Sequence, residues 1–173
     1  MAGMNAYELT VPMFLRTLSQ VHVWLDRAVA LSEQKKFNVQ VLLNARLAPD
    51  QFAFIRQVQI LSDIAKGTSG LLAGVTPPRY EDTETTLDDL RARLNKTRDW
   101  LLTLKPEQFE GAAARTVPLS FMPGKGMKSM DYLTQMSLPN FFFHATTAYS
   151  ILRHNGVDLG KAQYLGELKT HDL

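Results

Sequence analysis

Between Phe52 and Ala65 the apolar residues Phe52, Phe54, Ile55, Val58, Ile60, Leu61, Ile64 and Ala65 leave little of a helical circumference polar. A helix of that kind cannot lie on a surface. It has to be enclosed by other elements, and enclosure by further helices gives a bundle. The pattern predicts this helix over residues 50–72, with Asp50 as its cap. Gly67 and Gly70 weaken its end, and Gly74 with Pro77-Pro78 stops it. Its few polar side chains are therefore informative. Arg56, Gln59 and Asp63 share one stripe and Gln57 lies beside it. They either bracket a solvated edge or point into a pocket.

Three more stretches have helical spacing. Residues 10–35 repeat Val11, Phe14, Leu15, Leu18, Val21, Leu25 and Val29, with Thr10 as cap, Pro12 in the first turn and His22 at the edge of the stripe. A third helix starts at Thr83 or Thr86 and runs to Leu104, on a stripe of Leu87, Leu90, Leu94, Leu101 and Leu104. Thr85 and Asp88 have capping-box spacing, and the acidic group Glu81, Asp82, Glu84, Asp88 and Asp89 suits a helix start. The last helix begins near Ser129 or Asp131, is kinked by Pro139, and stops at Asn155-Gly156 after Arg153 and His154.

Between the third and last helices, residues 116–121 and 127–130 read as a small β-hairpin or a pair of extended segments around Pro123-Gly124-Lys125-Gly126. That turn lacks the full spacing of a phosphate-binding loop. In the connection 37–49, Arg46 and Asn44 tie a loop or meet an anion. The fold class is thus all-α: a four-helix bundle with a small extended excursion before the last helix. It forms one domain over residues 1–173, with a core of about 5–160 and a loosely docked tail at 161–173.

Composition excludes several functions. The chain has no cysteine, so disulfides, thiolate catalysis and cysteine-ligated metal centres are ruled out. A net charge of +2 with no basic block argues against nucleic acid. No apolar run reaches the roughly 18–20 residues that span a bilayer, and no signal-peptide pattern opens the chain. A cytoplasmic setting is expected. The HExxH, GxSxG and GxGxxG patterns are absent, as is the paired Glu-x-x-His of di-iron bundles.

Four histidines remain: His22, His144, His154 and His171. His154 suits a helix end, and His171 lies in the tail. His144 follows three phenylalanines, Phe141 to Phe143, with Asn140 one turn before it. Two hydrogen-bonding side chains on one face of a bundle helix suggest a lined cavity. A histidine in an apolar setting that serves only structure is the competing reading.

The segment HATTAYSILRHNG, from His144 to Gly156, resembles the end of the last helix in the DinB-like (YfiT-like) superfamily, where a metal-binding histidine precedes a Leu-Arg-x-x-Gly ending. Leu152, Arg153 and Gly156 stand at matching places. The phrases VPMFLRTL, LLNARLAPD, RQVQILSDIAKG, EDTETT, LPNFFFH and ILRHNGVDLGK resemble a branch of it known only as a domain of unknown function, across nearly all of residues 5–165. The resemblance implies a DinB-like four-helix bundle, often a homodimer. It also implies a metal site built from one histidine of the second helix and two, four apart, of the last. His144 matches the second of that pair and Asn140 holds the place of the first. The second helix has no histidine, and Gln59 or Gln57 takes its place.

Carboxamides bind zinc and nickel poorly beside neutral imidazole, so Asn140, His144 and Gln59 form a degenerate site at which no metal is expected beyond a weakly held Zn or Ni ion. The expected function is a small polar molecule bound in a metal-free pocket lined by Asn140, His144 and Gln59, with Arg56 and Asp63 further out. Two alternatives stand beside it. One is a metal-dependent or thiol-cofactor-dependent transferase or hydrolase using His144 as the catalytic group. The other is a non-catalytic structural or interaction protein.

Overall fold

The computed structural model describes residues 5–119 and 121–172. Four long helices build the bundle: α1 (Val11–Lys35), α2 (Phe54–Ala73), α3 (Leu87–Leu102) and, after the one-turn α4 (Ser129–Tyr132), α5 (Leu138–His154). A short α6 (Lys161–Leu165) follows. The expected hairpin is present: β1 (Thr116–Pro118) pairs antiparallel with β2 (Gly126–Lys128), with Val117 opposite Met127. The enclosed helix is α2, which packs most extensively on α5 and next on α3, while α1 lies mainly on α3 and α6. Its side chains Phe54, Val58, Leu61, Ala65 and Leu72 are fully buried, as the unbroken apolar pattern requires.

Several local details differ from the sequence reading. Asp50 is exposed and does not cap α2, whose N-cap is Ala53. The reason is a closed loop before it: the Arg46 guanidinium donates to the Gln51 carbonyl at 2.9 Å, and Phe54 N donates to Ala45 O at 3.0 Å. Thr10 occupies the N-cap of α1, but its hydroxyl turns back to the Ala6 carbonyl at 2.6 Å. The capping box of α3 uses Thr86 and Asp89, one residue on from the expected pair. The Asp89 carboxylate accepts from both Thr85 N and Thr86 N, a double satisfaction that Asp88 could not supply.

Helix α2 continues through Gly67 and Gly70 to a left-handed cap at Gly74, φ +71°. Gly70 is there for space: a Cβ would lie 2.8 Å from Val75 O and 2.9 Å from Pro77 Cδ, where the chain folds back over the helix end. Ahead of Pro139 the helix widens into a π-turn at Leu133–Ser137, the local distortion by which it accommodates a proline that cannot donate backwards.

The segment after Gly156 docks through residues 157–164, while residues 167–172 are exposed. Val157 and Leu159 are buried. Tyr164 stacks on Trp24 at 5.9 Å between centroids and meets Tyr149 edge-on at 5.5 Å. Trp24 Nε1 donates to the Gln163 carbonyl at 2.8 Å. Among the described residues no helix is long and apolar enough to cross a membrane.

Candidate functional site

His144 reaches inward from α5 and is 7% exposed. Its Nδ1 lies 2.6 Å from Oε1 of Gln57, on α2. Gln57 is 2% exposed, and its Nε2 donates to the Phe52 carbonyl at 3.0 Å. This chain of contacts has one polarity. A backbone carbonyl only accepts, so the amide nitrogen of Gln57 must face Phe52. The amide oxygen then faces His144, and Nδ1 must carry the proton. The other ring nitrogen, Nε2, is left with its lone pair. No hydrogen-bond partner for it occurs among the described residues. The edge of Phe143 meets the imidazole at 5.2 Å.

Burial, and after it the positive charge of Arg56, hold the His144 imidazole below its ordinary pKa. The ring is therefore neutral at pH 7. His22 is lowered too, first by burial and then by Arg91 and Arg98. For a histidine lowered in the fold, stability is full above the unfolded value near 6.5 and is lost as pH falls towards the folded value. Urea midpoints measured from pH 8 to pH 5 should fall as acid is added, and His144→Gln should fall less steeply.

The other polar residues of α2 do not converge on His144. Gln59 donates to Glu84 Oε2 at 2.8 Å and accepts from Arg56 at 3.3 Å. Arg56 is ion-paired with Asp82. Asp63 receives Arg93 at 2.8 Å and Lys66 at 2.9 Å. Gln57, rather than Gln59, is the amide that meets the imidazole. Asn140 sits half-buried one turn before it. The hub of the second network is Arg93, which the sequence reading missed. Its side chain is 1% exposed, yet it pairs with Asp63 at 2.8 Å, Asp82 at 3.0 Å and Glu84 at 3.1 Å. The acidic group before α3 thus already has a cation, a guanidinium supplied by the protein.

The DinB-like metal site can be tested against these donors. Gln57 Oε1 is occupied by the Nδ1 proton, which leaves a single imidazole nitrogen. No group of three His, Cys, Asp or Glu residues able to hold a metal occurs among the described residues. One imidazole with carboxamides does not fit zinc or nickel.

Comparison with known proteins agrees with the fold. Residues 6–165 match the family described as Domain of unknown function (DUF1993). A crystal structure of a DinB family member protein from Shewanella denitrificans is similar over 96% of this chain and 95% of that one, with 41% identity and a TM-score of 0.93. No curated protein matches the chain. With its bundle, its hairpin and its last helix all accounted for, the chain belongs to the DUF1993 family, a DinB-like branch without an assigned function.

Proposed function

We propose that this protein binds a small polar molecule at a metal-free site centred on His144, on the seam between α2 and α5 where the superfamily's metal site would lie. The observation that carries this reading is the fixed tautomer of a neutral, nearly buried imidazole whose remaining nitrogen is an acceptor without a hydrogen-bond partner among the described residues. A neutral ring whose tautomer is fixed by Gln57 and Phe52, and whose charge is disfavoured by burial and Arg56, is a prepared hydrogen-bond acceptor. Arg56 is near enough to act on its charge, and Asn140 stands one turn before it on α5; Gln59 and Asp63 serve the neighbouring ionic network.

A second reading has its own support. Several hollows of about 140–620 Å³ on the described surface are lined by other residues, and His144 borders none of these. The His144–Gln57 pair would then be a closed structural contact.

Calorimetric titration of zinc and nickel into demetallated protein tests the metal-free assignment. We expect at most weak binding, with a Kd well above about 1 mM. Submicromolar binding lost in His144→Ala would contradict it. Gln57→Leu should cost about 1–3 kcal/mol in either reading, because Nδ1–H is left buried and unpaired.

A further inference from the structure

We propose that the tip of the β1–β2 hairpin is a contact surface for a lipid bilayer that carries anionic headgroups. It is independent of the site at His144.

The hairpin has a fixed root and a bare tip. At the root Val117 is buried, Ser129 N donates to the Arg115 carbonyl at 3.1 Å, and the Arg115 guanidinium donates to the Leu72 carbonyl at the end of α2. The tip is ordered by its own backbone. Leu119 N donates to Lys125 O at 3.0 Å, Met122 N to Leu119 O at 3.0 Å and Lys125 N to Met122 O at 2.9 Å, and Gly124 turns the chain at φ +76°. On this turn Phe121 is 61% exposed and Met122 47%. They are the one pair of sequence neighbours among the exposed large hydrophobics of the described residues. Single exposed apolar side chains are ordinary on a protein surface. An ordered turn that exposes two together, with Pro123 exposed beside them, presents an apolar point.

Charge selects the occupant. From Gly111 to Met130, between Glu110 and Asp131, the chain has the cations Arg115, Lys125 and Lys128 and no carboxylate. Lys125 and Lys128 are exposed and form no ion pair among the described residues. Lys125 also lines a hollow of about 440 Å³ with Thr116, Pro118, Leu119, Gly124 and Gly126, none of them charged. Apolar side chains flanked by lysines suit a boundary where acyl chains lie beneath negative headgroups. A second copy of this chain suits the tip less. The other hollows on the described surface are each lined by charged side chains, which Phe121 would strip of water. The contact is peripheral, since no described helix is long and apolar enough to cross a membrane. Phe121 and Met122 enter the headgroup boundary, and the two ammonium groups stay at the phosphates.

The full-length protein is sedimented with vesicles of phosphatidylcholine alone and of an equimolar mixture of phosphatidylcholine and phosphatidylserine. Binding should be at least about tenfold stronger to the anionic vesicles and should weaken as NaCl rises from about 0.1 M to about 0.5 M. Lys125→Gln with Lys128→Gln should weaken it at least about tenfold. Phe121→Ser with Met122→Ser should weaken it as much and leave the salt dependence in place. Both pairs alter exposed side chains, and an unchanged urea midpoint verifies that each variant is folded. No binding to either vesicle, equal binding to both, or a serine pair that binds like the parent would overturn the proposal. Self-association lost in the serine pair, read by sedimentation velocity and without vesicle binding, would assign the tip to a second copy and overturn it too.

Discussion

Arg93→Ala should cost about 3–5 kcal/mol, the range for removing one partner of a buried ion pair. Three carboxylates, Asp63, Asp82 and Glu84, would lose a shared cation that is 1% exposed. The loss would also free a segment. Among the described residues, residues 76–85 make no backbone-to-backbone hydrogen bond, and side chains pin them instead. Those pins are Asp82 on Arg56 and Arg93, Glu84 on Gln59 and Arg93, and the Tyr80 ring, which lies 4.9 Å from Lys66 Nζ and 5.6 Å from the Arg93 guanidinium. Urea unfolding should show the drop in midpoint, and trypsin should cut after the exposed Arg79 faster in the variant. Arg93→Lys should fall between the two, because one ammonium cannot span three carboxylates as a planar guanidinium does. An Arg93→Ala protein as stable as the parent would mean that the network contributes nothing.

Trp24→Ala should be of similar size, about 3–5 kcal/mol, as for other fully buried aromatic truncations. Trp24 is 0% exposed and does more than fill space. Its ring holds Tyr149 at 5.7 Å and Tyr164 at 5.9 Å, and its N–H holds the backbone of α6 through Gln163. The local effect should exceed the global one. Hydrogen exchange of residues 161–166 should accelerate in the variant well before the four long helices open. Trp24→Phe keeps most of the apolar area and loses the N–H donor, so it should retain most of the stability. A protein in which α6 stays protected after Trp24→Ala would show that this cluster does not dock it.

The bundle was legible because its signals are local and repeated. Apolar spacing on α1, α3 and α5 and the nearly continuous apolar surface of α2 each specify a helix and its buried face. What escaped depends on contacts between distant segments. Gln57 and Gln59 are two residues apart, so they point about 200° away from each other around the helix axis. Only one can face α5, and nothing in the sequence of α2 alone tells which side α5 takes. Gln57 took it, and Gln59 turned to the strap before α3. Arg93 lies on the leucine-striped α3, and spacing alone does not set it apart from the other charged residues of that helix. The signal that could have found it was the excess of acid at Glu81, Asp82 and Glu84, which needed a buried counter-ion. The contacts that dock α6 were not legible for the same reason, since Trp24 and Tyr164 are far apart in sequence and each alone is an ordinary aromatic. Asp50 illustrates the reverse failure. A residue type suited to capping sat at a plausible start, but the Arg46-closed loop moved the helix onset to Phe54.

These misses share one feature with the site itself. His144 and Asn140 were readable from spacing on one helix, but the partner that sets the chemistry comes from another. The Phe52–Gln57 relay places the proton on Nδ1 and leaves the lone pair on Nε2, while burial and Arg56 keep the ring neutral.

Long-range ¹⁵N–¹H correlation of the His144 ring, at pH 7 in demetallated protein and again after one equivalent of zinc, tests it most directly. The neutral Nδ1–H tautomer, unmoved by zinc, is the expected spectrum. An Nε2–H tautomer, or an Nε2 resonance shifted stoichiometrically by the metal, would contradict it.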